Sequence, residues 1–294
     1  MSEFYIFLSE FLSLFENPNI TLMQFIVQKD YNHTFFRDVI RINYNHDVPL
    51  QCINDYGYSY IMIRYGKFDA YDYKNNPITI PKIFVKGTGD YFNVKAYEDS
   101  VWISVELPNH ALHNITNLIA RNCRNKLIDL NDYVDTDCLD RLYYELYDSN
   151  TIADISTVLD KHLYTYYKTW NTSLDSTLIV NYIHSMRGCL TVKDLSERFP
   201  FSERTIERMF KKEVGASPYR FICLVRFNNI IREFQEQKIH LEDLIVKYNY
   251  YDNSHFEKDF KKFLGQSIKS YKNNFNPLLS NALSREYHKE KHKS

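Results

Sequence analysis

Glycine is scarce in this chain, with seven among 294 residues. Loops that cradle phosphate need clustered glycines so that the backbone can approach the anion, and neither a Walker loop nor G-x-G-x-x-G occurs. The serine elbow G-x-S-x-G is absent as well. Gly87-Thr88-Gly89 therefore reads as a tight turn and not as a phosphate site. The five cysteines, Cys52, Cys123, Cys138, Cys189 and Cys223, are odd in number and form no C-x-x-C. Neither a disulfide framework nor a structural zinc site is indicated, and free thiols are expected. No apolar run is long enough to cross a bilayer. The N-terminal MSEFYIFLSEFLSLFE holds acids where a signal peptide would hold bases, so a cytoplasmic protein is expected.

Metal chemistry has little to stand on. His110 and His113 are three residues apart, and with His33 and His46 they offer the ligand types of a cupin metal site. A site needs converging ligands with supporting partners, and no repeated spacing of His and carboxylate implies one. The expectation is no metal, no cofactor and no catalysis.

What is present is an uneven distribution of charge. A chain of 294 residues exceeds what one core usually spans, so two domains are expected. The whole carries −1, yet residues 185–276 hold 17 Lys and Arg against 12 Asp and Glu, and residues 277–294 hold 4 against 2. The remaining 184 residues are then at −8. Only the basic end should approach phosphate.

That end contains two matching segments, SERTIERMFKKEVGASP at 202–218 and DNSHFEKDFKKFLGQSI at 252–268. In the first, Ile206, Met209, Phe210 and Val214 recur at helical spacing and predict one buried stripe, with Arg204 and Arg208 on the opposite face. Ser202 suits an N-cap and Gly215 a left-handed stop. The second repeats the plan with Asp252 or Asn253 as cap, Phe256, Phe260 and Phe263 as stripe, and Gly265 as stop. Each has a supporting helix upstream. TVKDLSERF offers Val192, Leu195 and Phe199 with a Thr191/Asp194 capping pair; HLEDLIVKY offers Leu241, Leu244, Ile245 and Tyr248, with Asn249 at the turn. Between them Pro218 to about Gln237 predicts one long helix with Phe221, Ile222, Val225 and Ile230 inward. Two copies of one recognition unit, held apart by a stiff helix, point to a reader of two successive major-groove faces.

Residues 188–275 resemble the DNA-binding domain of the AraC/XylS family of transcriptional regulators, on LTVKDLSERF, S-x-R-T-I-E-R-M-F-K-K-E-V-G-A-S-P, L-V-R-F, and Y-Y-D-N-S-H-F-E-K-D-F-K-K-F-L-G with S-I-K-S-Y. The sequence departs from the pattern at Pro200, at Asn249 where Gly is usual, and at Ile268 where Pro often follows. The resemblance implies that Glu203, Arg204, Thr205 and Arg208 of the first reader, and Asn253, Ser254, His255 and Lys258 of the second, face bases or nearby phosphates. Lys211, Lys212, Lys261, Lys262 and Arg226 would position the DNA backbone or pack across the units, with Lys212 and Lys262 the stronger DNA candidates. Interleaved acids at Glu207, Glu257 and Asp259 argue against a non-specific coat.

The N-terminal half predicts antiparallel β structure over 35–107, in FFRDVIRI, YSYIMIRY, KFDAYDY, ITIPKIFV, YFNVKAY and VWISVEL. Helices follow over 109–168, in ALHNITNLIARNC, TDCLDRLYYELYD and IADISTVLDKHLYTYYK, the last two an expected antiparallel pair. With D-Y-G, G-T-G and L-I-D-L-N-D-Y-V, this layout resembles the degenerate cupin-like domain of one AraC-family branch common in bacteria. The fold expected is α+β: a regulatory domain at 1–170, a tandem helix-turn-helix domain at 175–276 and a mobile basic tail at 277–294. The expected partner is double-stranded promoter DNA. RNA polymerase, a small-molecule or protein effector at the N-terminal domain, and a second copy docking through helices at 137–168 are further candidates, and no membrane is expected. The alternatives are an interaction protein with a degenerate DNA domain and a cupin-like metal enzyme.

Overall fold

Along Ser59–Tyr65 both faces of the strand are apolar, with Tyr60 and Met62 on one and Ile61 and Ile63 on the other. Such a strand must lie between two layers. It does so in the computed structural model, which describes residues 26–29, 38–53, 55, 57, 59–107, 111–168, 174–235 and 241–273. The strands are β1 Ile26–Lys29, β2 Asp38–Tyr44, β3 Val48–Ile53, β4 Ser59–Tyr65, β5 Phe68–Tyr71, β6 Pro77–Ile78, β7 Ile83–Lys86, β8 Phe92–Ala96, β9 Ser100–Leu107 and β10 Leu127–Asp129. They form a sheet of order β1-β2-β9-β4-β7-β10 and a second of order β3-β8-β5-β6. All their pairings are antiparallel.

Between the sheets pack Ile42, Tyr60, Met62, Phe84 and Trp102 from the first and Ala70, Phe92, Val94 and Ala96 from the second. The far face of the first sheet, with Ile61, Ile63, Val85, Ile103 and Val105, is covered by helices. After α1 (Ala111–Thr116) and a 3₁₀ turn at Ala120–Cys123, these are α2 (Thr136–Asp148) and α3 (Ile152–Lys168). Leu139, Leu142 and Leu146 of α2 and Ile155, Leu159 and Leu163 of α3 enter that layer. Arg41 of β2 caps the end of α2, where carbonyls lack partners: Nη1 donates to Leu146 O at 3.0 Å and also to Ser149 O, and Nη2 to Tyr147 O at 3.1 Å.

Three expectations change here. ITIPKIFV is not one strand, because the chain leaves the second sheet at β6 and enters the first at β7. Val48–Ile53 is a strand that the sequence did not announce; its Pro49 is tolerated because β3 is an edge. The stretch after Pro108 is not purely helical, since β10 within LIDLNDYV pairs with β7. Phe35, His33, His110, the N-terminal 25 residues and the segment 277–294 lie outside the described residues. Among the described residues no cluster of three His, Cys, Asp or Glu could hold a metal ion, and no helix is long and apolar enough to cross a membrane.

The C-terminal part is helical: α4 (Leu174–Ser185), α5 (Val192–Arg198), α6 (Glu203–Met209) running into a π turn (Phe210–Val214), α7 (Pro218–Gln235), α8 (Leu241–Lys247), α9 (Asn253–Leu264) and α10 (Ile268–Asn273). Helix α7 serves two cores. Phe221, Ile222 and Val225 join Ile179, Val180 and Ile183 of α4 with Leu195, Ile206, Phe210 and Val214. Leu224, Phe227, Ile230 and Ile231 join Leu244, Ile245, Tyr248, Phe256, Phe260 and Phe263. A helix apolar on two sides fixes both units to one axis.

Candidate nucleic-acid interface

The two recognition helices are built alike. Ser202 Oγ accepts from the Thr205 backbone N–H at 3.3 Å, and Asp252 Oδ1 from that of His255 at 2.6 Å, each satisfying a donor that the first turn leaves free. Each helix ends on a left-handed glycine, Gly215 at φ +83° and Gly265 at φ +70°. They differ in the last turn. Gly265 N–H donates to Lys261 O, a normal helical step, whereas Gly215 N–H donates to Phe210 O and closes a π turn. The wider turn carries Glu213 inward, to 7% exposure.

The supporting helices are capped as their sequences imply. Thr191 and Asp194 complete a capping box, with Asp194 N–H donating to Thr191 Oγ1 at 3.2 Å and Thr191 N–H to Asp194 Oδ2 at 2.7 Å. Asn249, after α8, adopts φ +55°, the conformation for which Gly would otherwise be chosen.

Between the units one carboxylate gathers three donors. Glu233 of α7 accepts from Arg187 Nη1 at 2.9 Å, Lys247 Nζ at 2.6 Å and Tyr248 Oη at 3.0 Å. Burial pushes its pKa up, but the bonds from Lys247 and Tyr248 and the charges of Lys247 and Arg187 outweigh that, leaving it below the ordinary value. Burial, with the charge of Glu233, pushes the Tyr248 phenol up to about 12. Arg226 also belongs to this joint, donating from Nε to Gly188 O at 2.9 Å and lying over the Tyr250 ring.

Around this frame Glu203, Arg204, Arg208 and Lys212 of the first reader are exposed and Thr205 is half-buried, its hydroxyl already engaged with Ser202 Oγ at 3.0 Å. In the second reader Asn253, Ser254, His255, Lys258 and Lys262 are exposed. The His255 ring stands edge-on to Tyr250, whose phenol donates to the buried Asp259. Lys211 is paired with Glu207 at 3.3 Å and Lys262 with Asp259 at 3.8 Å. Arg204, Arg208, Lys212, Lys258 and Lys261 have no carboxylate partner among the described residues. Two like helices thus present cations whose charge the fold does not neutralise, the arrangement that polyanion binding requires.

Helix α4 is an element of this helical part that the sequence did not announce. Apolar residues surround it, with Leu178 exposed and Ile179, Val180 and Ile183 buried, so no one-sided stripe marks it. It nonetheless supplies part of the first reader's core.

Comparison with known proteins adds an independent line. The family model described as a helix-turn-helix domain matches residues 195–274. The HTH-type transcriptional activator AarP of Providencia stuartii is 26% identical over 113 residues, which make up 37% of this chain and 84% of AarP. Among solved structures, an apo ToxT variant from Vibrio cholerae is 13% identical, covering 83% of this chain and 98% of that one, with a TM-score of 0.46. ToxT bound to an unsaturated fatty acid is 14% identical, covering 82% and 96%, with a TM-score of 0.45.

Proposed function

From the premise that this chain is a DNA-binding transcriptional regulator of the AraC type, we propose that α6 and α9 read two successive major-groove segments of promoter DNA. The observation that carries this reading is the pair of alike, capped helices with unpaired cations on their outward sides. Arg204 or Arg208 would make the bidentate contact that guanine O6 and N7 accept, and Asn253 the equivalent contact to adenine, each worth about 1–3 kcal/mol of discrimination. Ser254, His255, Thr205 and Glu203 would line the same grooves, with Lys258 at a base edge. Lys212 and Lys262 would neutralise phosphate and set the register. Arg226 is no DNA contact in this reading, since it is spent on the joint between the units.

The proposed division has residues 175–276 reading DNA and residues 1–170 regulating. The acidic β unit would bind an effector or a second copy of the chain and contribute no base contact. Access to promoter DNA and to RNA polymerase implies the cytoplasm, and no catalytic role is assigned.

Genome-wide mapping of bound DNA, followed by titration of the strongest site against a random duplex of equal length, tests the function. The proposal expects a preference of at least about a thousandfold at physiological salt and an affinity for both duplexes that falls steeply as salt is raised. Equal affinity for the two duplexes would overturn it.

A further inference from the structure

The segment Gly87–Tyr91, which follows β7, touches the trailing ends of both recognition helices. At the first, the Thr88 hydroxyl donates to Val214 O, the last carbonyl of the π turn. A Cβ on Gly215 would stand 2.9 Å from both Thr88 Oγ1 and Ala120 O, so the helix stop itself is the contact point. At the second, Tyr91 lies so close to Gly265 that a Cβ there would clash with its Cζ and Oη. Both glycines that end the readers therefore abut the β unit, and neither position accepts a side chain.

The segment is held rigidly from both sides. Asp55, itself buried, accepts from Gly89 N–H at 2.7 Å and Gly57 N–H at 2.9 Å, while its carbonyl accepts from Asn228 of α7 at 3.2 Å. Asp90 accepts from Arg220 Nη2 at 2.7 Å, Arg124 Nη2 at 3.2 Å and Asn125 Nδ2 at 2.7 Å. Arg220 also donates to Gly89 O at 3.1 Å and lies 5.5 Å over the ring of Phe263, a core residue of the second reader. Arg220 thus links the first turn of α7, the second reader and the β unit. Burial raises the Asp90 pKa, and the Asn125 bond with the Arg220 and Arg124 charges overcomes this, leaving it below the ordinary carboxylate value.

We infer that Gly87–Tyr91 is a positioning element for DNA recognition: by docking on the ends of both readers it fixes their spacing and phase, so that Asp90 and Tyr91 govern which separation of subsites the protein accepts without touching DNA. Helix α7, with the Glu233 joint along it, holds the readers to one axis; the segment adds a further tie at the readers' trailing ends and restricts the twist about that axis. This rests on the two-reader function proposed above.

The test uses the full chain and its strongest mapped duplex, with versions carrying one or two base pairs inserted between the subsites. One inserted pair shifts the second subsite by about 3.4 Å and about 35°. The wild type should lose about tenfold or more in affinity, the worth of one reader's contacts. The double variant Asp90→Ala with Tyr91→Ala should lose less than about threefold on the same insertion, because the second reader is no longer held to the segment and can twist about α7. Should that variant fail to melt cooperatively, Asp90→Asn, which preserves volume, and Arg220→Gln, which removes the charge but keeps a polar side chain, carry the same comparison. A folded variant that shows the full wild-type penalty overturns the positioning role and leaves the spacing to α7 and its Glu233 joint. A wild type indifferent to the insertion overturns instead the reading of two coupled subsites.

Discussion

Gly188 lies against the backbone of Arg226: at φ +70°, a Cβ there would stand 2.5 Å from Arg226 N and 2.5 Å from Ile222 O. The turn after α4 is thereby pressed onto α7, and Arg226 Nε returns the contact to Gly188 O. Gly188→Ala meets both a strained backbone conformation and a backbone clash. It should lower stability by more than about 1 kcal/mol, measured by thermal unfolding. A variant that melts with the wild type would show that the turn is free to move away from α7.

Helix α4 gives a second prediction. Ile179, Val180 and Ile183 fill the first reader's core, each worth about 1.5–3 kcal/mol of burial. A fragment of residues 172–276 should unfold cooperatively and bind DNA, whereas one starting at residue 190 should have lost its first unit. Circular dichroism melts of the two decide this, and equal melting would remove α4 from the domain.

The Glu233 joint should be sensitive to acid. Its folded pKa is depressed, so the stability it contributes is complete above the unfolded value of about 4.3 and is lost as pH falls through the lower folded value. At pH 7 Glu233→Gln should therefore be less stable than the wild type by about 1.5–3 kcal/mol, the worth of a hydrogen bond to a charged group. That difference should hold through neutral pH and close below about pH 4. Paired urea titrations at several pH values check it; a gap that widens on acidification would contradict the sign.

The C-terminal architecture was legible because its signals are local. Caps, stripes and stops at Ser202, Asp252, Gly215 and Gly265 lie within one helix each, and Asn249 announces its own positive φ. Long α7 was readable from its buried spacing, although its service to two cores was not, since that depends on what the fold brings to each side. The sequence offered only a turn at Gly87-Thr88-Gly89, whereas that segment is a buried seam between distant parts of the chain. Its partners, Val214 and Asp55, are remote in sequence, and no local periodicity could name them. Strand β3 escaped for a different reason: an edge with Pro49 and half-exposed Leu50 lacks the apolar alternation of a buried strand.

Binding and footprinting of Arg204→Ala and Lys258→Ala, on the mapped duplex and on random DNA, probe the two-reader account most directly. Each variant should weaken specific binding by about 1–3 kcal/mol while random binding changes far less. Protection should be lost in different halves of the footprint, one for each variant. Equal losses on both DNAs, or loss in the same half, would contradict the assignment of α6 and α9 as separate readers of base sequence.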